Sequence, residues 1–181
     1  MKGYLDEVVR CLESVSQETI DAAIRVILEV AQKNRKILVI GNGGSAALAS
    51  HFVTDLLKSG SLRKSRISAF SLVDNSALLT ATSNDFRFED VFSWQITQIA
   101  NSGDLLVAIS SSGNSDNIIE ALKLAKSLGL KTLTLSGFDG GKISEISDVA
   151  IVTNSAIGNY GPVEDSHSII CHYLARRICQ L

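Results

Sequence analysis

The chain has 181 residues and a mass of 19.4 kDa, which is the size of one domain. Its 17 Lys and Arg residues against 19 Asp and Glu residues give a net charge of −2, so the basic excess of a general nucleic-acid-binding protein is missing. Its apolar runs are too short to cross a bilayer, and its three cysteines without a CxxC spacing fit a reducing compartment. We therefore expect a cytoplasmic protein that binds neither nucleic acid nor membranes.

Helical periodicity comes first along the chain. Apolar residues recur at helical spacing over residues 4–12 and again over residues 20–31. Between these stretches, Ser14-Val15-Ser16-Gln17 has the spacing of a capping box that would start the second helix. We predict a helical N-terminal extension over residues 1–34, which covers either the domain itself or part of another copy of the chain.

From residue 36 onward, short continuous apolar strands alternate with helices. This alternation is typical of a parallel sheet that helices cover on both faces. We therefore predict a three-layer, doubly wound α/β core over residues 35–181 that forms a single domain with the helical extension. The predicted strands are Lys36–Ile40, Ile67–Leu72, Asp104–Ser110, Lys131–Ser136 and Asp148–Thr153, and the predicted core helices are Ser45–Lys58, Ser76–Ser83, Phe88–Ala100, Ser115–Leu128 and one from about Val163 to the end.

The first strand runs into a glycine-rich loop, Gly41-Asn42-Gly43-Gly44-Ser45, and then directly into a helix. Glycines let the backbone approach a ligand closely, and the start of the helix offers unpaired N–H groups to an anion. The loop has Ala46 where the dinucleotide fingerprint has its third glycine, and it lacks the lysine of a P-loop. These differences disfavour binding of a nucleoside triphosphate.

The third strand ends in a serine-rich loop, Ser110-Ser111-Ser112-Gly113-Asn114-Ser115, which carries four hydroxyl groups. Ligands of open α/β sheets bind beyond the carboxyl ends of the strands. Many neutral donors next to a helix N-terminus suit a phosphate monoester dianion, so we predict a phosphate-binding loop. The alternative is a polar turn in which Ser115 only caps the next helix, and that explains one serine rather than four.

Histidines and acids on two predicted helices are candidate metal ligands. His51 and Asp55 are four residues apart and therefore share one face of the helix that follows the glycine-rich loop. Glu164, His167 and His172 lie on the last predicted helix. Histidine and carboxylate together suit zinc or another divalent transition metal. An ordinary surface contact is the alternative for His51 and Asp55.

The spacing on the last helix constrains which residues can share a metal ion. Glu164 and His172 are eight residues apart, which is about 12 Å of rise on a continuous helix. Because zinc ligands lie about 2 Å from the ion, an unbroken helix cannot bring both residues to one zinc. Either the helix begins after Glu164, or one of the two ligands comes from a neighbouring subunit. His167, three residues after Glu164, is the rival ligand.

Four blocks of the chain resemble the sugar isomerase (SIS) domain family, and within it the phosphoheptose isomerases. The blocks are GNGGSAALASHF (41–52), LTATSNDFRFEDVF (79–92), GDLLVAISSSGNS (103–115) and LSGFDGGK (135–142). The resemblance implies a flavodoxin-like SIS fold and conversion of sedoheptulose 7-phosphate to D-glycero-D-manno-heptose 7-phosphate, for bacterial lipopolysaccharide or capsule. It also implies a homotetramer with active sites between subunits and one zinc ion in each site.

The resemblance implies roles for the matching positions. Asp55 would be the catalytic base and His172 the catalytic acid. Where phosphoheptose isomerases carry Glu and Gln, this chain has Asp55, which is one methylene shorter, and Glu164, which adds a negative charge. The implied zinc ligands are His51, Asp55, Glu164 and His172, and the implied substrate contacts are Asn42, Gly43, Gly44, Ser45, Asp55, Asn84, Asp85, Ser110, Ser111, Ser112, Ser115 and Glu164.

Two other functions stay open at this stage. One is a phosphosugar-binding regulator of the type that associates with the DnaA initiator, which resembles the enzyme but lacks a histidine at the position of His172. The other is an isomerase of a different sugar phosphate. Because function is argued from the site rather than from the fold, the presence of His172 favours the enzyme.

Overall fold

Five parallel strands form one sheet in the computed structural model, which describes residues 1–62 and 66–181. The strands are β1 (Lys36–Gly41), β2 (Ser68–Ser71), β3 (Leu105–Ser110), β4 (Lys131–Phe138) and β5 (Val149–Asn154). They lie in the order β2-β1-β3-β4-β5. The predicted doubly wound α/β core is therefore confirmed, and every predicted strand is observed.

Helices cover both faces of the sheet. The helices are α1 (Lys2–Glu13), α2 (Gln17–Gln32), α3 (Gly44–Leu62), α4 (Ser76–Asp85), α5 (Ser93–Ile99), α6 (Asp116–Ser127), α7 (Gly141–Ile146) and α8 (Tyr160–Gln180), with a 3₁₀ turn at Phe88–Asp90. The single helix predicted over residues 88–100 is thus a 3₁₀ turn followed by α5. No helix in the described part of the chain is long and apolar enough to cross a membrane.

Two helices begin at residues other than the predicted ones. The prediction that Ser14 caps α2 is wrong, because the N-cap is Ser16, whose Oγ accepts a hydrogen bond from the backbone N–H of Thr19 at 3.2 Å. Ser14 instead accepts a bond from the backbone N–H of Asn154 at 2.9 Å. The last helix begins at Tyr160, earlier than the predicted start at about Val163. The helix tolerates Pro162 in its first turn, because the N–H groups of that turn have no partner within the helix.

The strands bury side chains on both faces, as their continuous apolar sequences predict. Ile37 and Val39 of β1 pack in the cluster that α2, α3 and α8 complete, whereas Leu38 and Ile40 pack in the cluster on the opposite face, with α5 and α6. All six residues of β3 are buried. The sheet is therefore a rigid central layer whose strand ends can hold a site.

The order of the strands places two predicted loops side by side. From β1 the chain moves outward to β2 and then returns to β3 on the other side of β1, so the crevice between β1 and β3 is a topological switch point. The glycine-rich loop follows β1, and the serine-rich loop follows β3. The side-chain amides of Asn42 and Asn117 donate to each other across this crevice, each at 2.9 Å.

Helix α1 lies on the beginning of α8. Val8 and Cys11 are buried in that contact, and the Tyr4 hydroxyl donates to Asp165 at 2.7 Å. The hydrogen bond to Asp165, followed by desolvation and then by the negative charge of Asp165, raises the pKa of Tyr4 to about 12. Leu5 and other apolar residues of α1 remain exposed. The N-terminal extension thus covers its own domain, and whether it also covers a second copy stays a prediction.

Candidate active site

The serine-rich loop is held by close backbone contacts with the segment after β4. A Cβ atom on Gly113 would overlap the carbonyl oxygen of Gly140, and a Cβ atom on Gly141 would lie 2.8 Å from the Cα of Gly113. Both Gly113 and Gly141 also have positive φ angles, of 63° and 56°. The carbonyl of Gly113 accepts from the N–H of Ile143 at 3.1 Å. Glycines in both segments therefore fix the loop's conformation.

A cavity of about 190 Å³, which we call the serine cavity, lies at the switch point. Its lining residues come from the ends of β1 and β3, from the N-cap of α6 and from the first two turns of α3 and α8. The Ser111 hydroxyl is buried and has no hydrogen-bond partner among the described residues, although buried hydroxyls are nearly always paired. The cavity is lined by Asn42, Ser45, Ser110, Ser111, Ser112, Ser115, Tyr160 and Glu164.

Ser115 is free to contribute to this cavity. It is the N-cap residue of α6, but its side chain makes no capping hydrogen bond. The side-chain cap that the alternative assigns to Ser115 is therefore absent, and the ligand role of Ser115 stays a prediction. The first turn of α6 also offers backbone N–H groups and the positive end of a helix dipole. Hydroxyls combined with a helix N-terminus form an environment that suits an anion.

Glu164 places a negative charge at the other helix N-terminus of the crevice. Its Oε2 would lie 3.1 Å from a Cβ atom on Gly44, the first residue of α3. A carboxylate is favourable there because the N–H groups and the dipole of α3 both attract it. An exogenous anion is therefore better placed at α6 than at α3.

Two further cavities lie on either side of the predicted metal ligands. One, which we call the histidine cavity, measures about 280 Å³ and includes His51, Ser45 and Glu164 in its lining. Ser45 and Glu164 also line the serine cavity, so these two cavities adjoin. The other cavity measures about 340 Å³ and is bordered by Asp55 and His172.

Helices α3 and α8 bring His51, Asp55 and His172 together, and we call these residues the His-Asp-His group. Their donor atoms all lie within 4.8 Å of one another. His51 Nε2 lies 3.0 Å from His172 Nε2 and 3.3 Å from Asp55 Oδ2, and His172 Nε2 lies 3.7 Å from Asp55 Oδ2. Tetrahedral ligands about 2.1 Å from zinc are separated by about 3.4 Å, so the donor set fits this ion. Three protein ligands with one position left open are typical of catalytic zinc.

Glu164 is not part of this group. Helix α8 is unbroken from Tyr160 to Gln180, so the suggestion that it begins after Glu164 is wrong. Of the two alternatives drawn from the sequence, a ligand from a neighbouring subunit is the one that remains. The role of Glu164 as a zinc ligand stays a prediction.

The rival ligand His167 also lies outside the group. Its side chain is fully buried between α8 and β5, with Nε2 3.3 Å from the Thr153 hydroxyl. Burial lowers the pKa of His167 to about 4, and the nearby backbone of Ser136 offsets only part of this effect. His167 is therefore a neutral core residue at physiological pH.

Two predicted substrate contacts lie elsewhere, and one lining residue was missed. Asn84 and Asp85 end α4 at the surface, where the Asn84 amide donates to the Asp85 carboxylate at 3.0 Å, and neither lines the serine or histidine cavity. Their role stays a prediction. The sequence analysis missed Tyr160, and the signal that could have indicated it is its position four residues before Glu164, on the same helix face.

The fold and the site agree with a match to a known domain. The fold is a doubly wound sheet, with the serine-rich loop at its switch point and the His-Asp-His group beside that loop. The SIS domain family matches residues 3–137, which is most of the chain. The chain belongs to the SIS domain family, and within it to the phosphoheptose isomerases, as the following relatives indicate.

Curated relatives match along nearly the whole chain. A phosphoheptose isomerase of Helicobacter pylori strain P12 is 39% identical over 172 residues, which cover 95% of this chain and 88% of the relative. One of Aliarcobacter butzleri is 37% identical over 180 residues, which cover 99% and 91%. The solved structure of phosphoheptose isomerase GmhA from Neisseria gonorrhoeae superimposes with a TM-score of 0.88 at 32% identity and covers 99% of this chain and 97% of that one. The predicted family and the predicted isomerase class are thus confirmed.

Proposed function

We propose that the protein is an aldose–ketose isomerase that converts sedoheptulose 7-phosphate to D-glycero-D-manno-heptose 7-phosphate in the cytoplasm, for bacterial lipopolysaccharide or capsule. The observation that carries this proposal is that the serine cavity adjoins the histidine cavity, which reaches His51. One molecule with a phosphate at one end and a carbonyl at the other fits such a pair of cavities. The names of the relatives support the choice of a heptose phosphate.

In this proposal the substrate phosphate binds to Ser110, Ser111, Ser112 and Ser115. The loop residues Asn42, Gly43, Gly44 and Ser45 contact the sugar, and Asn84 and Asp85 bind its hydroxyls. A flexible chain of hydroxyl-bearing carbons then extends towards the His-Asp-His group. Neutral donors can hold the phosphate dianion because each hydrogen bond to a charged acceptor is stronger than one to a neutral acceptor.

The reaction moves a hydrogen between neighbouring carbons through an enediol. Asp55 takes a proton from C1 while the carbonyl oxygen on C2 accepts a proton from His172, and the C1–C2 double bond of the enediol forms. The proton then returns to C2 while the C1 hydroxyl loses its proton and C1 becomes the aldehyde carbon. A zinc ion held by His51, Asp55 and His172 would polarise the carbonyl as a Lewis acid. The Nε2 atom of His172 has no proton to donate while it ligates the ion, so His172 is the acid only when it is not a ligand.

Asp55 has two roles in this scheme, as a base and as a metal ligand. Its Oδ2 lies near both imidazoles, so it can be a zinc ligand, and a carboxylate that ligates zinc is a weaker base. We propose a homotetramer in which Glu164 contacts the substrate in its own chain and, where a neighbouring copy holds no substrate, would supply the fourth zinc ligand of that copy, so that this position stays available to the carbonyl. Mass measurement of the native protein by light scattering tests the tetramer that this arrangement requires.

The test of the function is direct NMR observation of the protein incubated with sedoheptulose 7-phosphate, with added zinc and with a chelator. We expect an aldoheptose phosphate to appear with zinc and not with the chelator. Asp55→Ala and His172→Ala should each abolish turnover while binding of the sugar phosphate remains measurable. Asp6→Ala, an exposed acid on α1, is the matched control and should keep full activity.

Three outcomes separate the alternatives. Turnover that persists in Asp55→Ala or His172→Ala would contradict the assigned roles. Conversion of another sugar phosphate, but not of the heptose, would change the substrate and keep the class of reaction. Binding without any conversion, with or without zinc, would favour the regulatory function.

A further inference from the structure

Tyr160 stands apart from the other residues that line the serine cavity. It is the one aromatic residue in that lining, and its side chain is 50% exposed. No group in residues 1–62 or 66–181 forms a hydrogen bond with its hydroxyl. The proposed function leaves this side chain without a role.

The Tyr160 ring packs on Phe138, at a place where β4 and α8 are in close contact. The ring packs edge to face against Phe138, with centroids 5.1 Å apart and planes 83° apart. Phe138 is almost fully buried at the end of β4, where its φ angle is 58°. A Cβ atom on the preceding Gly137 would lie 2.7 Å from Cγ2 of Val163, so β4 and the first turn of α8 are in close contact. Such a ring loses little freedom when a ligand binds.

The serine cavity also needs further donors. Among the described residues that line it, none is a lysine, an arginine or a histidine, and Glu164 contributes a negative charge. A phosphate dianion there depends on hydroxyls and on the N-terminus of α6. A phenol hydroxyl is a good donor to a charged oxygen and carries no charge of its own.

We propose that the hydroxyl of Tyr160 donates a hydrogen bond to the phosphate of the substrate and so determines the affinity for phosphorylated sugars. Phe138 is a positioning residue, because it holds the ring and does not line the cavity. This inference rests on the proposed function for the identity of the sugar. The binding of phosphate itself can be measured without any turnover.

The experiment uses Tyr160→Phe, which keeps the ring and its packing and removes only the hydroxyl. We expect the Kd for inorganic phosphate and for sedoheptulose 7-phosphate, measured by calorimetry, to rise about 10-fold. The KM should rise by a similar factor while kcat stays unchanged. Tyr173→Phe is the matched control, since Tyr173 lies on the same helix and lines none of the three cavities described above.

A double-mutant cycle tests the role of Phe138. Phe138→Leu should weaken phosphate binding in the native background and have no further effect in Tyr160→Phe, because its influence passes through the hydroxyl. Equal effects of Phe138→Leu in both backgrounds would overturn the positioning role.

Unchanged Kd values in Tyr160→Phe, or a native protein that binds no phosphate, would overturn the proposal. Weaker phosphate binding in the variant together with an absence of isomerase activity in the native protein would support Tyr160 and contradict the proposed function. Normal isomerase activity with identical KM values in the native protein and in Tyr160→Phe would support the proposed function and contradict the role of Tyr160.

Discussion

Mild acid should destabilise the folded protein through His167, the buried histidine of α8. The folded state holds this side chain neutral, because burial lowers its pKa from 6.5 to about 4. In the unfolded chain the imidazole is solvated and takes up a proton near its ordinary pKa. As the pH falls below 6.5, protons therefore bind the unfolded state first, and stability that is fully present above pH 6.5 is lost progressively down to about pH 4.

The size of this effect follows from the two pKa values. Each pH unit between them costs about 1.4 kcal/mol of unfolding free energy, so the full loss is about 3 kcal/mol. A domain of this kind is stable by about 5–15 kcal/mol, so the loss is a substantial fraction of the total. Carboxylates that lose their hydrogen bonds add to it at the acid end of the range.

Urea unfolding at a series of pH values, with a chelator present so that metal release does not contribute, measures the effect. His167→Gln removes the titrating ring and leaves an amide that can reach the Thr153 hydroxyl, so its unfolding free energy should depend less on pH than that of the native protein. The variant loses stability at neutral pH if the amide packs less well, but this loss does not change with pH. Identical slopes for the two proteins between pH 6.5 and 5 would refute the reasoning.

Two further predictions concern the serine cavity and its support. Gly137→Ala should destabilise the fold by about 2 kcal/mol in urea unfolding, because the new methyl group overlaps Val163. Val163→Ala in the same chain should recover most of that loss, and strictly additive effects would contradict the overlap. Ser111→Ala should weaken phosphate binding about 10-fold without loss of stability, since its buried hydroxyl has no protein partner. Ser166→Ala removes a buried hydroxyl that donates to the carbonyl of Pro162, so it should lower stability and leave phosphate binding unchanged. Equal effects of Ser111→Ala and Ser166→Ala on phosphate affinity would contradict the role of Ser111.

The strands and the serine-rich loop could be predicted from sequence because both depend on local patterns. A run such as Leu105–Ser110 is apolar except for its last residue, and its short length and β-branched residues are typical of a strand buried on both faces. The loops after β1 and β3 could be placed at one edge because parallel strands end on the same side of their sheet. Helix α7 was missed, since six residues are too few to show a helical period.

Spacing from Glu164 alone does not show which of the two histidines of α8 belongs to the candidate metal site. His167 and His172 are five residues apart, so they point about 140° away from each other around the helix. The stripe of buried residues on α8 resolves the question, because Val163, Ile170 and Leu174 share a face with His167. That pattern is readable in the sequence. The contact between His172 and His51 is not readable there, because it depends on how α3 packs against α8.

Glu164 shows how one added charge can be accommodated at a site for an anion. A carboxylate beside a phosphate dianion would repel it, yet the negative charge lies at Gly44, where the N-terminus of α3 stabilises it. Glu164 thus occupies the N-terminus of α3, whereas the N-terminus of α6 stays open to the substrate phosphate. Under the proposed function, this places the phosphate at the serine-rich loop and the carbonyl at the far end of the sugar, towards His51. The charge on Glu164 would therefore favour one direction of the substrate in the crevice over the reverse.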